Sequence, residues 1–202
     1  MTVDREVGCG SFPCTDVRHE CHLVPAIEIN PKKVSVIMVS EAAPAEAGDY
    51  YYAGGDALFE KTTVQVFQEA GQQVSSMKDI VKLGVYLTTA VKCGKTGNAV
   101  SSATIERCSR LLEREIELFP GAKILMLMGD VAIKAVNAIA RRNGEERVIP
   151  AGPTYKIRKG KYFWRGMRVF PSYLQAGPSF FIEKGKHRVI AEDIAAAMQI
   201  AK

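Results

Sequence analysis

The chain has 202 residues, 47% of them hydrophobic and 24% charged, and this balance predicts one globular domain over residues 1–202. No apolar run reaches the ~18 residues of a membrane span, and the first residues lack the apolar core of a signal peptide. We therefore expect a cytoplasmic protein with no membrane partner. The pattern G-x-x-x-x-G-K-[ST] is absent, as is G-x-G-x-x-G after the first strand, which argues against an NTPase and a dehydrogenase.

Residues 1 to about 30 are irregular and carry three of the five cysteines, Cys9, Cys14 and Cys21. In a reducing compartment an odd number of cysteines does not predict a disulfide framework. A small N-terminal group of cysteines in such a protein indicates ligands of a metal or cluster. Small buried hydrophobic side chains are the alternative.

An apolar run over residues 34–39 predicts a strand that is buried on both faces of a parallel sheet. Glu41 follows this strand, so its carboxylate is expected at the carboxyl edge of the sheet. It could orient a water molecule or accept a hydrogen bond from a base, or it could cap the loop. Tyr52, in the Gly-flanked loop beyond, could stack on a flat ligand or cover the core. Helical spacing then predicts a helix over residues 58–70.

Residues 85–91 predict the second strand, and Cys93 heads the polar loop after it. A helix follows from about Ser102, with Ser101 or Ser102 as its N-cap and Cys108 in its first turns. Ligands bind at the carboxyl edge of open α/β sheets, so this loop lies where a site is expected. The two cysteines are either cluster ligands or small buried side chains, and their spacing alone slightly favours the second interpretation.

The remaining elements alternate in the same way. Strands are predicted over residues 124–128 and 169–173, with helices from Asp130 through Ala140 and at the C-terminus, and a basic-aromatic hairpin at about 155–168. This order predicts an α/β fold: a three-layer α/β/α sandwich with a central, mainly parallel four-stranded sheet.

The net charge is +5, and basic residues are concentrated in two clusters. One lies among the aromatic residues of the predicted hairpin, and the other contains Lys184, Lys186, His187 and Arg188. Basic residues among aromatics suit a phosphate backbone with bases that stack, and a solvated hairpin face is the alternative.

Together these residues resemble the uracil-DNA glycosylase superfamily, most closely the family-four enzymes that carry a [4Fe–4S] cluster. The similarity covers about residues 14–194. Its most specific part is the strand 86–93 ending in Cys93, then Gly97-Asn98, then Cys108. The segment 162–171 is similar to the hairpin before the last family motif.

The resemblance implies a [4Fe–4S] cluster held by four cysteines. Cys93 and Cys108 match the two later ligands of the family. The two earlier family ligands form a C-x-x-C, a spacing that is missing here. Either Cys9 or Cys21 must therefore join Cys14, and the prediction favours the set Cys14, Cys21, Cys93 and Cys108.

The resemblance also implies the residues of the active site. The segment 40–44 looks like the family's G-E-A-P-G, which matches Glu41 to its Glu, and Tyr52 matches the Phe that stacks on the flipped uracil. Thr89 stands where the family has the Asn that recognises the uracil edge. Leu174 stands where it has the His that stabilises the uracil anion, and such a lost donor typically costs ~3 kcal/mol.

The predicted function is base excision repair, in which a monomer hydrolyses the N-glycosidic bond of a flipped uracil or other deaminated base in single- or double-stranded DNA. Glu41 would be catalytic. The base-binding residues would be Ala42, Tyr52, Thr89, Ser172, Leu174 and Gln175. The DNA-binding residues would be Lys184, Lys186 and Arg188. The alternatives are a catalytically weak or inactive nucleic-acid-binding relative and a small-molecule-binding α/β protein with a solubilising basic face.

Overall fold

The structure, a computed structural model, describes residues 1–97 and 99–201. Asn98, which belongs to the resemblance, lies outside the described residues. The strands are β1 (Val17–Arg18), β2 (Val36–Ala43), β3 (Val85–Lys95), β4 (Ile124–Met128), β5 (Tyr162–Trp164) and β6 (Met167–Ser172). The helices are α1 (Leu58–Glu69), α2 (Met77–Lys82), α3 (Ser102–Glu117), α4 (Asp130–Arg142), α5 (Thr154–Ile157), α6 (Ser179–Ile182) and α7 (Lys184–Ala201).

These strands form one sheet in the order β1-β3-β2-β4-β6-β5. The four central strands are parallel, while β1 and β5 pair antiparallel at the two edges. The α/β class is therefore confirmed, but the prediction of a four-stranded sheet is wrong, because the sheet has six strands and is mixed. Both edge strands are too short to show an alternating pattern in the sequence.

The basic-aromatic hairpin is shorter than predicted, because α5 takes its first residues and the hairpin itself joins β5 to β6. Its two-residue turn consists of Arg165 (φ 48°) and Gly166 (φ 80°). Positive φ at both central positions matches the right-handed twist of the two strands.

Helices cover both faces of the sheet. α3 and α4 pack on one face, and α1, α2 and α7 pack on the other. All five residues of β4 are buried, as expected for a central parallel strand. None of the described helices combines the length and the apolar character needed to cross a bilayer. The carboxyl ends of β2, β3 and β6 are left at one edge, where the candidate site lies.

Candidate active site

A cavity of about 560 Å³ opens at the carboxyl edge of the sheet. The end of β2, the first turn of α1, the end of β3 and the loop after β6 form its wall, and Glu41, Phe59 and Leu174 line it. A groove of equal volume lies between α3 and α4, where Lys134 and Arg141 pair with carboxylates and Arg147 donates to Ile149 O. The cavity at the sheet edge is the better candidate for an active site, because ligands bind at the carboxyl edge of open α/β sheets.

Glu41 lies inside β2, and its side chain reaches the N-terminus of α4. Gly129, which precedes α4, has φ 101° and ψ 169°, a conformation essentially restricted to glycine. A Cβ atom on Gly129 would lie 2.6 Å from Glu41 Oε1 and 2.8 Å from its Cγ, so the glutamate fills the space that a side chain would take. The positive end of the α4 dipole stabilises a negative charge there. The fold thus holds a carboxylate at the cavity wall.

Two of the six predicted base-binding residues, Ala42 and Leu174, line the cavity. Tyr52 is not among the lining residues, because its hydroxyl donates to Leu87 O and accepts from Leu87 N, both at 3.1 Å, which anchors the ring to β3. Phe59, in the first turn of α1, is the aromatic side chain in the lining. The sequence analysis missed Phe59, since an aromatic residue in an amphipathic helix predicts only burial.

Thr89 and Gln175 are fully buried and do not reach the cavity surface. Gln175 Nε2 donates to the Tyr51 hydroxyl at 3.2 Å, and that hydroxyl is hydrogen-bonded to Ser40. Burial raises the pKa of Tyr51 well above its ordinary value, so the phenol stays protonated at neutral pH. The predicted positions therefore lie in a polar layer beneath the cavity.

Ser172 makes structural contacts and does not line the cavity. Its hydroxyl donates to Asp193 of α7 at 2.6 Å, and Asp193 pairs with Arg158 at 2.7 Å. Burial raises the pKa of Asp193, although both partners oppose the shift. The Ser172 carbonyl accepts from Gly129 N at 3.0 Å. Ser172 thus joins the end of β6 to α7 and to the glycine beside Glu41.

Four cysteines surround a second cavity, of about 250 Å³, between the N-terminal arm, β3 and α3. Its lining includes Cys9, Cys14, Cys93 and Cys108, and Cys93 lies inside β3. Burial raises the pKa of Cys93 to about 12, and the neighbouring thiols contribute to the shift. The backbone N–H of Lys92 donates to Cys108 Sγ at 3.2 Å. Four thiols around one space, one already receiving an amide hydrogen bond, fit a group that binds four thiolates.

Cys21 does not line this cavity, although it was one of the favoured ligands. Its thiol donates to Ala45 O at 3.0 Å, and its Cβ packs against Gly94. Within the described ranges, no three Cys, His, Asp or Glu side chains are grouped closely enough to hold a single metal ion. The cavity lining therefore brings four thiols to one space without forming, among the described residues, a ready single-metal site.

A fully buried ion pair joins β3 to α3. Lys92 Nζ contacts the Glu115 carboxylate and donates to Thr88 Oγ1 at 2.7 Å and to Thr89 O at 2.6 Å. Tyr86 also donates to Glu115. The sequence analysis missed this network, because a single lysine within an apolar strand does not show where its partner lies.

The second basic cluster occupies the first turn of α7, close to the active-site cavity. Lys184 is exposed, while Arg188 lies 3.7 Å from Glu192. Lys186 pairs with Glu183 at 2.5 Å and lies over the Tyr173 ring. The side chains just before them, at positions 181 and 182, are apolar and 49% and 81% exposed. Their neighbours Pro178 and Ser179 line the cavity, so an exposed apolar pair and a basic helix start lie at its mouth.

The three arginines of the first basic cluster contact other parts of the protein, while its three lysines are exposed. Arg158 pairs with Asp193, and Arg165 contacts Glu113 of α3 at 2.7 Å. Arg168 donates to backbone carbonyls of the hairpin and lies over the Phe170 ring. Arg165 thus ties the hairpin to α3, Arg158 binds α7, and Arg168 is used within the hairpin. These contacts favour the structural interpretation for the three arginines.

Two comparisons with known proteins bear on the family of this chain. The family model described as "Uracil DNA glycosylase superfamily" matches residues 27–187. A protein named "Type-5 uracil-DNA glycosylase", from Thermus thermophilus, is 26% identical over 99 residues, which cover 49% of this chain and 45% of that protein. The match therefore spans about half the length of this curated relative.

Proposed function

The chain belongs to the uracil DNA glycosylase superfamily, and from this premise we propose that it is a DNA glycosylase acting on a deaminated base. The observation that carries the proposal is the Glu41 carboxylate, held by Gly129 at the wall of a cavity with room for one base. Enzymes of this kind must take the base out of the stack into such a pocket.

Glu41 would orient the attacking water molecule. The water oxygen bonds to C1′ of the deoxyribose while the bond from C1′ to the base nitrogen breaks, and the bonding electrons leave with the base. The proton lost by the water passes to the carboxylate or the departing base. Phe59 would stack on the flipped base, in the role predicted for Tyr52. Leu174 cannot donate a hydrogen bond to the leaving base, so we expect slow catalysis.

The DNA would lie across the start of α7. Lys184, Lys186 and Arg188 would contact phosphates, and the exposed apolar pair Phe181 and Ile182 would fill the space left by the flipped base. Lys184→Ala and Arg188→Ala should each reduce the slope of log K against log salt by about one. Lys78→Ala is the matched control. Lys78 is exposed on α2, which leads into the amino end of β3 and so lies at the opposite edge of the sheet from the cavity.

A [4Fe–4S] cluster would be held by Cys9, Cys14, Cys93 and Cys108. This set replaces the predicted Cys21 by Cys9, because Cys9 lines the cavity and Cys21 does not. Such a cluster supplies strong cross-links between distant parts of the chain. Here the thiols would tie the N-terminal arm to β3 and α3.

Base release is the decisive assay. We expect excess protein to release the base from at least one oligonucleotide among those carrying uracil, hypoxanthine or xanthine. Glu41→Gln keeps the size of the side chain but removes its charge, and should slow release by about 10²–10⁴-fold. Release from none of the substrates, or release unaffected by Glu41→Gln, would contradict the proposal.

A second candidate function is supported by Leu174 and by the burial of Thr89. In this case the protein binds DNA without removing a base. The variant Leu174→His with Thr89→Asn separates the two functions, because restored polar groups should produce or accelerate uracil release only on a glycosylase scaffold. Steep salt-dependent DNA binding without release, even in this variant, would favour the second candidate.

Domain organisation and assembly complete the proposal. We expect residues 1–202 to unfold as one domain and to act as a cytoplasmic monomer. A single cooperative transition in urea would support the single domain, and a mass near 22.1 kDa by light scattering would support the monomer.

A further inference from the structure

Exposed side chains of α5, of β5 and of the loop between them form a surface outside both cavities. They are two aromatic residues and three lysines: Tyr155, Lys156, Lys159, Lys161 and Phe163. Tyr155 is 63% and Phe163 is 67% exposed, more than the aromatic residue at the mouth of the active-site cavity. We call these five residues the lysine-aromatic surface. Aromatic rings exposed to this degree among basic residues are typical of a binding surface.

The six basic residues of this segment divide by residue type. Among the described residues, its ion pairs involve Arg158 and Arg165 and none of the three lysines. Arg168 donates to backbone carbonyls of the hairpin at 2.9 and 3.0 Å. Lys156 Nζ lies 5.8 Å from the centre of the Tyr155 ring, so its charge stands beside an aromatic face. The arginines are therefore satisfied within the protein, whereas the lysine charges are available to a partner.

The contacts within the protein also hold this surface in a fixed shape. Arg158 donates to Asp193 Oδ1 at 2.7 Å and to Val189 O at 3.2 Å, which joins the end of α5 to α7. A Cβ atom on Gly160 would collide with the Tyr162 ring, so this ring closes over the loop between α5 and β5. A partner therefore meets a preformed surface, and little conformational entropy is lost when it binds.

The lysine-aromatic surface adjoins the basic start of α7. Tyr162 and Trp164 pack with the core on the α3 and α4 face, so Phe163 between them points to the face that carries α7. Val189, whose carbonyl binds the end of α5, directly follows Arg188. Basic side chains therefore continue from the mouth of the active-site cavity along α7 to α5.

We propose that the lysine-aromatic surface binds an unpaired nucleic-acid strand, with Tyr155 and Phe163 stacking on bases and the three lysines contacting phosphates. Rings on a protein surface stack on bases whose faces are free, whereas the bases of a duplex cover one another's faces. The lysines supply the positive charge that follows a phosphate backbone. The surface lies outside the active-site cavity, so the inference holds whether or not the protein removes a base.

Fluorescence anisotropy with short oligomers separates stacking from charge. An oligothymidine of about sixteen nucleotides and an abasic oligomer of equal length carry the same phosphates, but only the first carries bases. The wild-type protein should bind the oligothymidine more tightly by about tenfold or more. A duplex of the same length measures binding that does not require free base faces.

Tyr155→Ala and Phe163→Ala test the two rings. Each should lower the affinity for the oligothymidine about tenfold and leave the affinities for the abasic oligomer and the duplex unchanged, because only stacking is lost. Phe163→Tyr keeps a ring and should retain the wild-type affinity. Leu83→Ala is the matched control, since Leu83 is an apolar residue, 38% exposed, at the end of α2.

Salt dependence tests the lysines. Lys156→Ala, Lys159→Ala and Lys161→Ala should each reduce the slope of log K against log salt for the oligothymidine by about 0.7. Lys78→Ala should leave this slope unchanged. Lysines beside an edge strand also hinder its pairing with another chain. If that were their whole role, the three variants would self-associate and keep the wild-type slope, which would contradict the inference.

The remaining outcomes separate this inference from the glycosylase proposal. Equal affinity of the wild-type protein for the oligothymidine and the abasic oligomer overturns the inference. So does an affinity that survives both ring variants, or competition by polyglutamate as strong as that by the oligothymidine, which would indicate an acidic polypeptide. These results leave the enzyme assignment intact. A preference for bases that requires Tyr155 and Phe163, in a protein that releases no base, supports the inference and defeats only the enzyme assignment.

Discussion

Replacement of Gly129 by alanine tests how the fold positions Glu41. Gly129 occupies a backbone region (φ 101°, ψ 169°) that costs other residues about 1–3 kcal/mol, so Gly129→Ala should reduce the free energy of unfolding by that amount. The new Cβ would also lie 2.6 Å from Glu41 Oε1, which forces the carboxylate to move. Misplacement of a catalytic group by about 1 Å can lower the rate about 10²-fold, so base release should fall further than stability explains.

Gly144→Ala is the matched control, because Gly144 follows the other end of α4, has φ 69° and has no atom near the position of a new Cβ. It should cost about 1–2 kcal/mol through its backbone alone and leave base release unchanged. Urea unfolding can be followed by fluorescence of the single, buried Trp164.

The double variant Gly129→Ala with Glu41→Ala isolates the steric contact. Removing the glutamate should recover part of the stability lost in Gly129→Ala, which gives a coupling free energy of about 0.5 kcal/mol or more. The reasoning is refuted if Gly129→Ala matches Gly144→Ala in stability and in base release, and if the double variant shows no coupling.

Three further outcomes concern other parts of the fold. Glu115→Leu alone should lower the free energy of unfolding by about 3–5 kcal/mol, because Lys92 stays buried without its partner; adding Lys92→Met should recover most of that loss in urea unfolding, and equal losses would argue against a buried charge as the cause. Cys9→Ser should remove the visible absorption and bound iron of the purified protein, whereas Cys21→Ser should leave both in place, and the reverse pattern would restore the ligand set first predicted. Hydrogen bonds from adjacent serines hold the pKa of Asp79 below its ordinary value of 3.8, so its stabilising contribution is present at neutral pH and is lost as the pH falls below that value. In Asp79→Asn the free energy of unfolding should therefore depend less on pH below about pH 4. An unchanged pH dependence would show that Asp79 has the same pKa in the folded and unfolded states.

The central strands and their helices could be predicted because each has a local signal. Continuous apolar runs identified β2, β3 and β4. Of the two serines predicted as the N-cap of α3, Ser101 is the cap, and its side chain accepts from Thr104 N. The edge strands could not be predicted in this way, because β1 has only two residues and β5 is defined by its pairing with β6. Such short segments are strands only because they form hydrogen bonds with a neighbouring strand.

The residues of the candidate site were also predicted only in part. Glu41 could be placed at the sheet edge, since it follows an apolar run, and resemblance linked it to a known motif. Tyr52 was assigned to stacking by its position in that motif, yet its hydroxyl binds the backbone of β3, and Phe59 lines the cavity. Whether Tyr52 or Phe59 faces the cavity depends on which of them finds a hydrogen-bond partner elsewhere in the fold. Sequence spacing does not contain that information.

By itself the sequence determined the alternation of strands and helices and the cysteines available for a cluster, because these follow from local pattern and composition, and its motifs carried the resemblance to the superfamily. Tertiary structure decided which thiols share a cavity, that Lys92 meets Glu115 inside the protein, and that Gly129 makes room for Glu41. Each of these joins residues that are distant in the chain, and packing and burial, rather than local preference, fix their contacts.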